Sequence, residues 1–334
     1  MMMRMKSSFK LILLLLLAGL PGISCSVLPG KTEAPKEGGP SGGGWRVQSI
    51  LALEGSVAMG PGPNIAVLKG SEITLYREDE SVTRISGAPK GRLQWGKQGE
   101  FLYFIEYDNY IAPHHWMNAG TLKRYSLADG SIASLSADNN VTFYTLGEEE
   151  LYYISLGSLY RGVPKEGAFR FEKILNGFCV SAFPAGNHIA VYRRMDRETL
   201  EIVDKKGERI ALLEKEYIAN RLLPAYVLSV SDGLISLDAR GSRENYRLDG
   251  KTLVPVEIVP EAEGFIPEEI RVGDTTFSWK IEGRRLTLIR RQNGEEAYLT
   301  HVEGARPLEF TSSGERLILR WSDGALVIRL TQGR

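Results

Sequence analysis

The chain has 334 residues, 41 basic and 41 acidic side chains with no net charge, and 43% hydrophobic residues. That apolar share is enough to bury a full core, which excludes a disordered chain. The neutral balance argues against nucleic acid as a partner, and there is no polybasic stretch to hold the chain electrostatically on an anionic membrane.

Residues 1–24 have the build of an export signal. Arg4, Lys6 and Lys10 give a positive start, Leu11 to Leu20 form an apolar run, and Pro21-Gly22 break it. A membrane-spanning helix needs roughly 20 apolar residues, about twice this run. The signal ends in Gly22-Ile23-Ser24-Cys25, which resembles the lipobox of bacterial lipoproteins. The resemblance implies that Cys25 is lipidated and becomes the mature N-terminus. The protein is then exported and anchored to the outer face of the cytoplasmic membrane or to the outer membrane, with Ser26 compatible with outer-membrane sorting. Residues 25–44, rich in Gly and Pro and nearly free of apolar side chains, read as a flexible spacer. The folded domain is expected over residues 45–334.

From Trp45 onward the pattern is short strands. Phe101–Ile105, Leu151–Ile154, His188–Tyr192 and Leu317–Trp321 are typical runs. Between strands lie explicit turns, Asp129-Gly130, Lys206-Gly207, Asp249-Gly250, Asn293-Gly294 and Asp323-Gly324. Asp-Gly and Asn-Gly supply the positive φ angles of tight hairpins. No amphipathic helix stands out, beyond one helical turn at most near Glu214 to Leu223.

The turns recur. Gly207 to Gly250 is 43 residues and Gly250 to Gly294 is 44. An aromatic residue followed by a Gly turn and a strand marks Trp95 to Glu100, Phe183 to Asn187, Phe310 to Glu315 and, more weakly, Phe143 to Glu148. A period of ~40–45 residues with four strands each is that of propeller blades. The marker resembles the repeat of TolB-type and WD-like β-propellers, which implies architecture and no particular activity. Residues 45–334 then hold about seven four-stranded blades, six or eight being the neighbouring counts. Arg46 to Leu53 is placed to complete the last blade beside Ala325 to Leu330, and two β-sandwiches or barrels are the competing fold.

Few residues carry chemistry. Gly39-Pro40-Ser41-Gly42-Gly43 matches a nucleophile-elbow pattern but lies in the spacer, without the strand-to-helix turn that such a serine needs. Gly91 to Gln98 nearly matches a phosphate-binding loop, yet Gln98 replaces the hydroxyl residue and a strand follows. The four His residues, His114, His115, His188 and His301, show no zinc spacing. Glu78 to Glu80 and Glu148 to Glu150 read as solvated turns, Asn140-Val141-Thr142 as a glycosylation pattern without weight in a bacterial lipoprotein, and Cys179 as an inert core residue. No catalytic residue, metal site or cofactor is expected. The segment Tyr107 to Trp116 differs: Tyr107, Asp108, Tyr110, His114, His115 and Trp116 sit in an apparent insertion, and long loops on a rigid scaffold build binding surfaces.

The reading that follows is a membrane-anchored extracytoplasmic propeller, non-enzymatic, that binds a protein or envelope partner. The alternative is a propeller enzyme or small-ligand sensor with its site at the central channel. A purely structural, self-associating envelope protein is a third reading, its sign a large exposed apolar patch.

Overall fold

The computed structural model describes residues 31–32, 45–61, 64–77, 81–109, 118–165, 167–194, 196–215, 226–239, 242–257, 267–313 and 315–332. The strands among them form seven four-stranded antiparallel blades in chain order; a bridge between Val141 and Gly120 joins blades 2 and 3 into one eight-stranded sheet, and Lys31–Thr32 adds a fifth strand to the closing blade. Blade 1 is Ser56–Met59, Ile65–Lys69, Glu72–Tyr76 and Val82–Ile85; blade 2 is Lys90–Trp95, Phe101–Asn109, Ala119–Ser126 and Ile132–Ser134. Blade 3 is Val141–Leu146, Leu151–Ser155, Ser158–Lys165 and Ala168–Leu175; blade 4 is Cys179–Ala185, His188–Arg194, Glu198–Val203 and Arg209–Lys215. Blade 5 is Val227–Ser231, Leu234–Ala239, Ser242–Asp249 and Thr252–Pro255; blade 6 is Glu269–Val272, Thr275–Glu282, Arg285–Gln292 and Glu295–Glu303. Blade 7 combines Glu309–Ser313, Arg316–Trp321 and Gly324–Gln332 with the N-terminal strand Trp45–Glu54. This is the expected seven-bladed β-propeller, closed as expected by pairing Trp45 through Glu54 with Gln332 through Gly324.

The blades stack because their second strands are apolar on both faces. Leu102 and Phe104 pack toward blade 1, whereas Tyr103, Ile105 and Tyr107 pack toward blade 3. In blade 4, Ile189 and Val191 face blade 3, and Ala190 and Tyr192 face blade 5. Side chains alternate between two buried interfaces, so these strands read as continuous apolar runs. Apolar clusters of this kind bridge every junction among the described residues except that between blades 5 and 6.

Strand alternation defines two faces. Turns joining first to second and third to fourth strands lie on the lower face; second-to-third turns and the blade-to-blade connections lie on the upper face. Gly130, Gly207, Gly250 and Gly294 adopt the positive φ expected of them. Gly324 serves differently: a Cβ there would lie 2.4 Å from the Leu53 carbonyl oxygen and 2.5 Å from the Trp321 ring. It lets the closing strand approach.

Blades 1 and 2 share a buried cation. The Lys90 side chain is fully buried; its ammonium donates to the carbonyls of Ser71 at 3.0 Å and Ala88 at 2.8 Å and lies 3.6 Å from Glu106. Burial lowers its pKa, and Glu106 opposes the shift. Lys90→Ala strips the donor from two carbonyls and should cost about 2–4 kcal/mol in urea unfolding.

Candidate functional site

The two faces are built differently. Every lower-face connection between successive strands has two to five residues. The long connections, residues 110–118, 216–226 and 256–268, all join strand ends on the upper face. Of the exposed large apolar residues among the described ones, three lie outside strands: Leu156 (76% exposed), Phe178 (55%) and Leu308 (59%). All three are on the upper face.

Leu156 and Phe178 hold strained backbone. Leu156-Gly157 is a two-residue hairpin with φ of 48° and 71°, a type I′ pattern that favours Asn-Gly. The lower-face hairpins Asp232-Gly233 and Asn293-Gly294 show the same signs of φ with the favoured residues. Phe178, at φ 63°, occupies a conformation costing a non-glycine residue of order 1 kcal/mol. The two segments are tied together. The Cys179 amide donates to the Gly157 carbonyl at 2.8 Å, the Arg194 amide to that of Phe178 at 3.0 Å, and Arg193 Nη2 to those of Asn176 and Gly177 at 3.0 and 3.1 Å. Two large apolar side chains are thereby displayed on a fixed frame.

The same sector opens on the channel. The inner strands of blades 2, 3 and 4 each slip register near their upper ends, between Gly91 and Gln94, Val141 and Phe143, and Cys179 and Ser181. The inner strands of blades 1, 5, 6 and 7 pair without a shift. Bulges re-aim side chains, and Arg92, at φ 54°, sits within the shifted stretch between Gly91 and Gln94. Its guanidinium stacks 4.4 Å over the Phe143 ring. Phe143 faces blade 4 and meets Phe183 edge-on at 5.3 Å. Arg92 therefore reaches it past the inner edge of blade 3. Desolvation by the surrounding protein lowers the Arg92 pKa, and the nearby Tyr107 and Tyr144 oppose the shift. The Tyr144 hydroxyl braces the turn from behind, against the carbonyls of Arg92 and Tyr103, and burial pushes its pKa well up. A rigid cation flanked by apolar side chains suits an apolar surface carrying an anionic group.

Of the residues singled out from the sequence, Tyr107 is 3% exposed and packs in the interface of blades 2 and 3. Asp108 is exposed and accepts from Thr121 Oγ1 at 3.4 Å. Tyr110, His114, His115, Trp116 and Cys25 lie outside the described residues, as does most of the suggested helical turn. The strands flanking residues 110–117 end on the upper face of blade 2, beside the Arg92 sector. Cys179 is buried, and burial pushes its thiol up to about 11. The His301 ring contacts the Tyr298 hydroxyl. Among the described residues no group of three or more His, Cys, Asp or Glu converges as a metal site would.

One charged turn needs correction. Glu148 is exposed, but Glu150 is not solvated: its side chain is 15% exposed and is held by Tyr152, by Arg161 Nε at 3.1 Å and by Lys205 of blade 4 at 3.0 Å. The turn is pressed between blades 3 and 4, so the third Glu finds cations. Arg92, Leu156 and Phe178 escaped the sequence reading. The visible signal was a Leu before Gly157, where sibling turns carry Asp or Asn. Gly91 to Gln98, set aside as a phosphate loop, proves to be the bulged strand Lys90–Trp95 and its turn.

The chain matches no protein-family model and no curated protein. Among solved structures it is similar to the WD40 domain of Toxoplasma gondii coronin, with a TM-score of 0.47 and 13% identity over 88% of each chain. It is also similar to the β-propeller domain of Cps50 (Swd1) from Myceliophteria thermophila, at 0.48 and 12% over 86% of this chain and 100% of that one. A third is the β-propeller domain of the Trilobed protease from Pyrococcus furiosus, at 0.47 and 11% over 85% and 98%.

Proposed function

We propose that this β-propeller is a lipid-anchored, extracytoplasmic and non-enzymatic binding module that presents the upper face of blades 2–4 to a protein of the cell envelope. The observation that carries the reading is the asymmetry of the disc. The long connections join strand ends on one face, and the exposed loop-borne apolar side chains and the bulged inner strands among the described residues gather on the same face. Exposed apolar groups on a rigid frame are what a partner surface requires. The membrane part of the proposal rests on the lipobox resemblance at Cys25.

A photoreactive amino acid at position 156 should give discrete protein adducts in intact cells, whereas one at Lys206, on the lower face, should give none. Adducts from both positions, or from neither, would sink the assignment of the face. In parallel, wild-type protein should fractionate with membranes and carry lipid on Cys25, and Cys25→Ser should release it.

Arg92 favours a second reading, a small anionic ligand held at the channel mouth. Its mark would be saturable binding of a carboxylate or phosphate compound that Arg92→Ala abolishes while Leu156→Ala does not.

A further inference from the structure

The predicted spacer does not run free to the domain. Lys31 pairs with Leu51 and Thr32 with Ile50, antiparallel, on the outer edge of blade 7. Strand Trp45–Glu54 climbs from the lower face to the upper, because Glu54 leads through Gly55 into the first strand of blade 1. The added strand runs the other way. Lys31 is therefore the upper end of the added strand and Thr32 the lower.

This changes the tether. A free spacer from Cys25 to Trp45 spans twenty residues, with an r.m.s. length of about 25 Å and no preferred orientation. With Lys31 fixed, six residues separate Cys25 from the domain, and their reach is at most about 20 Å. We propose that this edge strand orients the disc with its upper face toward the bilayer, and that the partner of that face is a membrane-embedded protein. The proposal rests on the lipoprotein reading above. The charge pattern favours protein over lipid as the target. Many upper-face cations sit in acid–base pairs: Lys69 with Glu54 at 2.6 Å, Arg243 with Asp238 at 2.7 Å, Arg285 with Glu303 at 3.0 Å, Arg320 with Glu309 at 2.8 Å and, in blade 4, Arg194 with Glu198 at 3.5 Å and Arg197 with Glu214 at 2.5 Å. Arg92 stands apart on the Phe143 ring, and one cation does not make the basic cluster that anionic headgroups require.

The test uses the full exported chain on phosphatidylcholine vesicles that carry a headgroup acceptor dye. Donor dyes are placed by Asp196→Cys on the upper face and Lys206→Cys on the lower face of blade 4, positions about 20 Å apart along the strand. Buried Cys179 stays unlabelled. Energy transfer should be at least twofold more efficient from position 196, and Lys31→Pro with Thr32→Pro should erase the difference without lowering Tm. Equal transfer from the two positions of the wild type overturns the orientation. In intact cells, mass spectrometry should identify the protein in the position-156 adducts as one with membrane-spanning segments. An adduct partner without such segments, or a Leu156→Cys label that inserts into protein-free vesicles, overturns the partner class. If Cys25 carries no lipid, the lipoprotein reading itself has failed, an outcome that mass spectrometry separates from the others.

Discussion

Leu156→Asn and Phe178→Gly together should make the protein more stable and less able to bind. Each substitution puts a residue that tolerates positive φ where a costly one now stands, and each should gain about 0.5–1 kcal/mol. For a domain of this size the pair should raise Tm by roughly 2–3 °C in a calorimetric scan. Little burial is lost, because these side chains are 76% and 55% exposed. Position-matched cross-linking from a neighbouring upper-face site should fall at least tenfold, since anchor side chains dominate most interfaces. Natural sequences keep such strain where function needs it. A double variant that loses stability, or binds as before, would show that the two side chains serve the fold.

The second large effect belongs to the lower rim. Burial alone would raise the Glu150 carboxyl, but hydrogen bonds from Arg161, Tyr152 and Lys205 outweigh it and hold the pKa at about 2, against an ordinary 4.5. A carboxylate with a depressed folded pKa contributes stability that is complete above about pH 4.5 and is lost as pH falls toward 2. That contribution is roughly 1–3 kcal/mol once solvent screening near the rim is allowed for. Glu150→Ala also leaves Arg161, 17% exposed, without its main partner, so at pH 7 the total loss should be about 2–4 kcal/mol. Chemical denaturation between pH 7 and 2 checks both parts: the wild type should weaken steeply below pH 4.5, and the variant, already weaker, should show a shallower slope. Parallel profiles would mean that another carboxylate controls the acid limb.

What the sequence revealed, and what it hid, follows from range. Turn chemistry and strand period are local, so Asn293-Gly294, the 43-residue spacing and the closing strand near Trp45 could all be read before any coordinates. The upper face could be read only in part. Residues 107–116 read as an insertion, but Arg92 matters because a bulge turns it past blade 3 onto Phe143, 51 positions away. Glu150 looked solvated because Lys205, its partner across the blade junction, lies 55 residues on. The pairing of Lys31 with Leu51 could not be foreseen from composition, since a sheet edge recruits backbone, which every residue supplies.

The closure of blade 7 sets a timetable. Trp45, among the first folded residues to leave the ribosome, waits for Gln332, 287 positions later. Until then the sheets can stack in order while the ring stays open, with unsatisfied amides and carbonyls on the edge of blade 7. Contacts of such long range form slowly. Those last strands therefore act as a latch, and the open ring beforehand is the state a chaperone would have to guard.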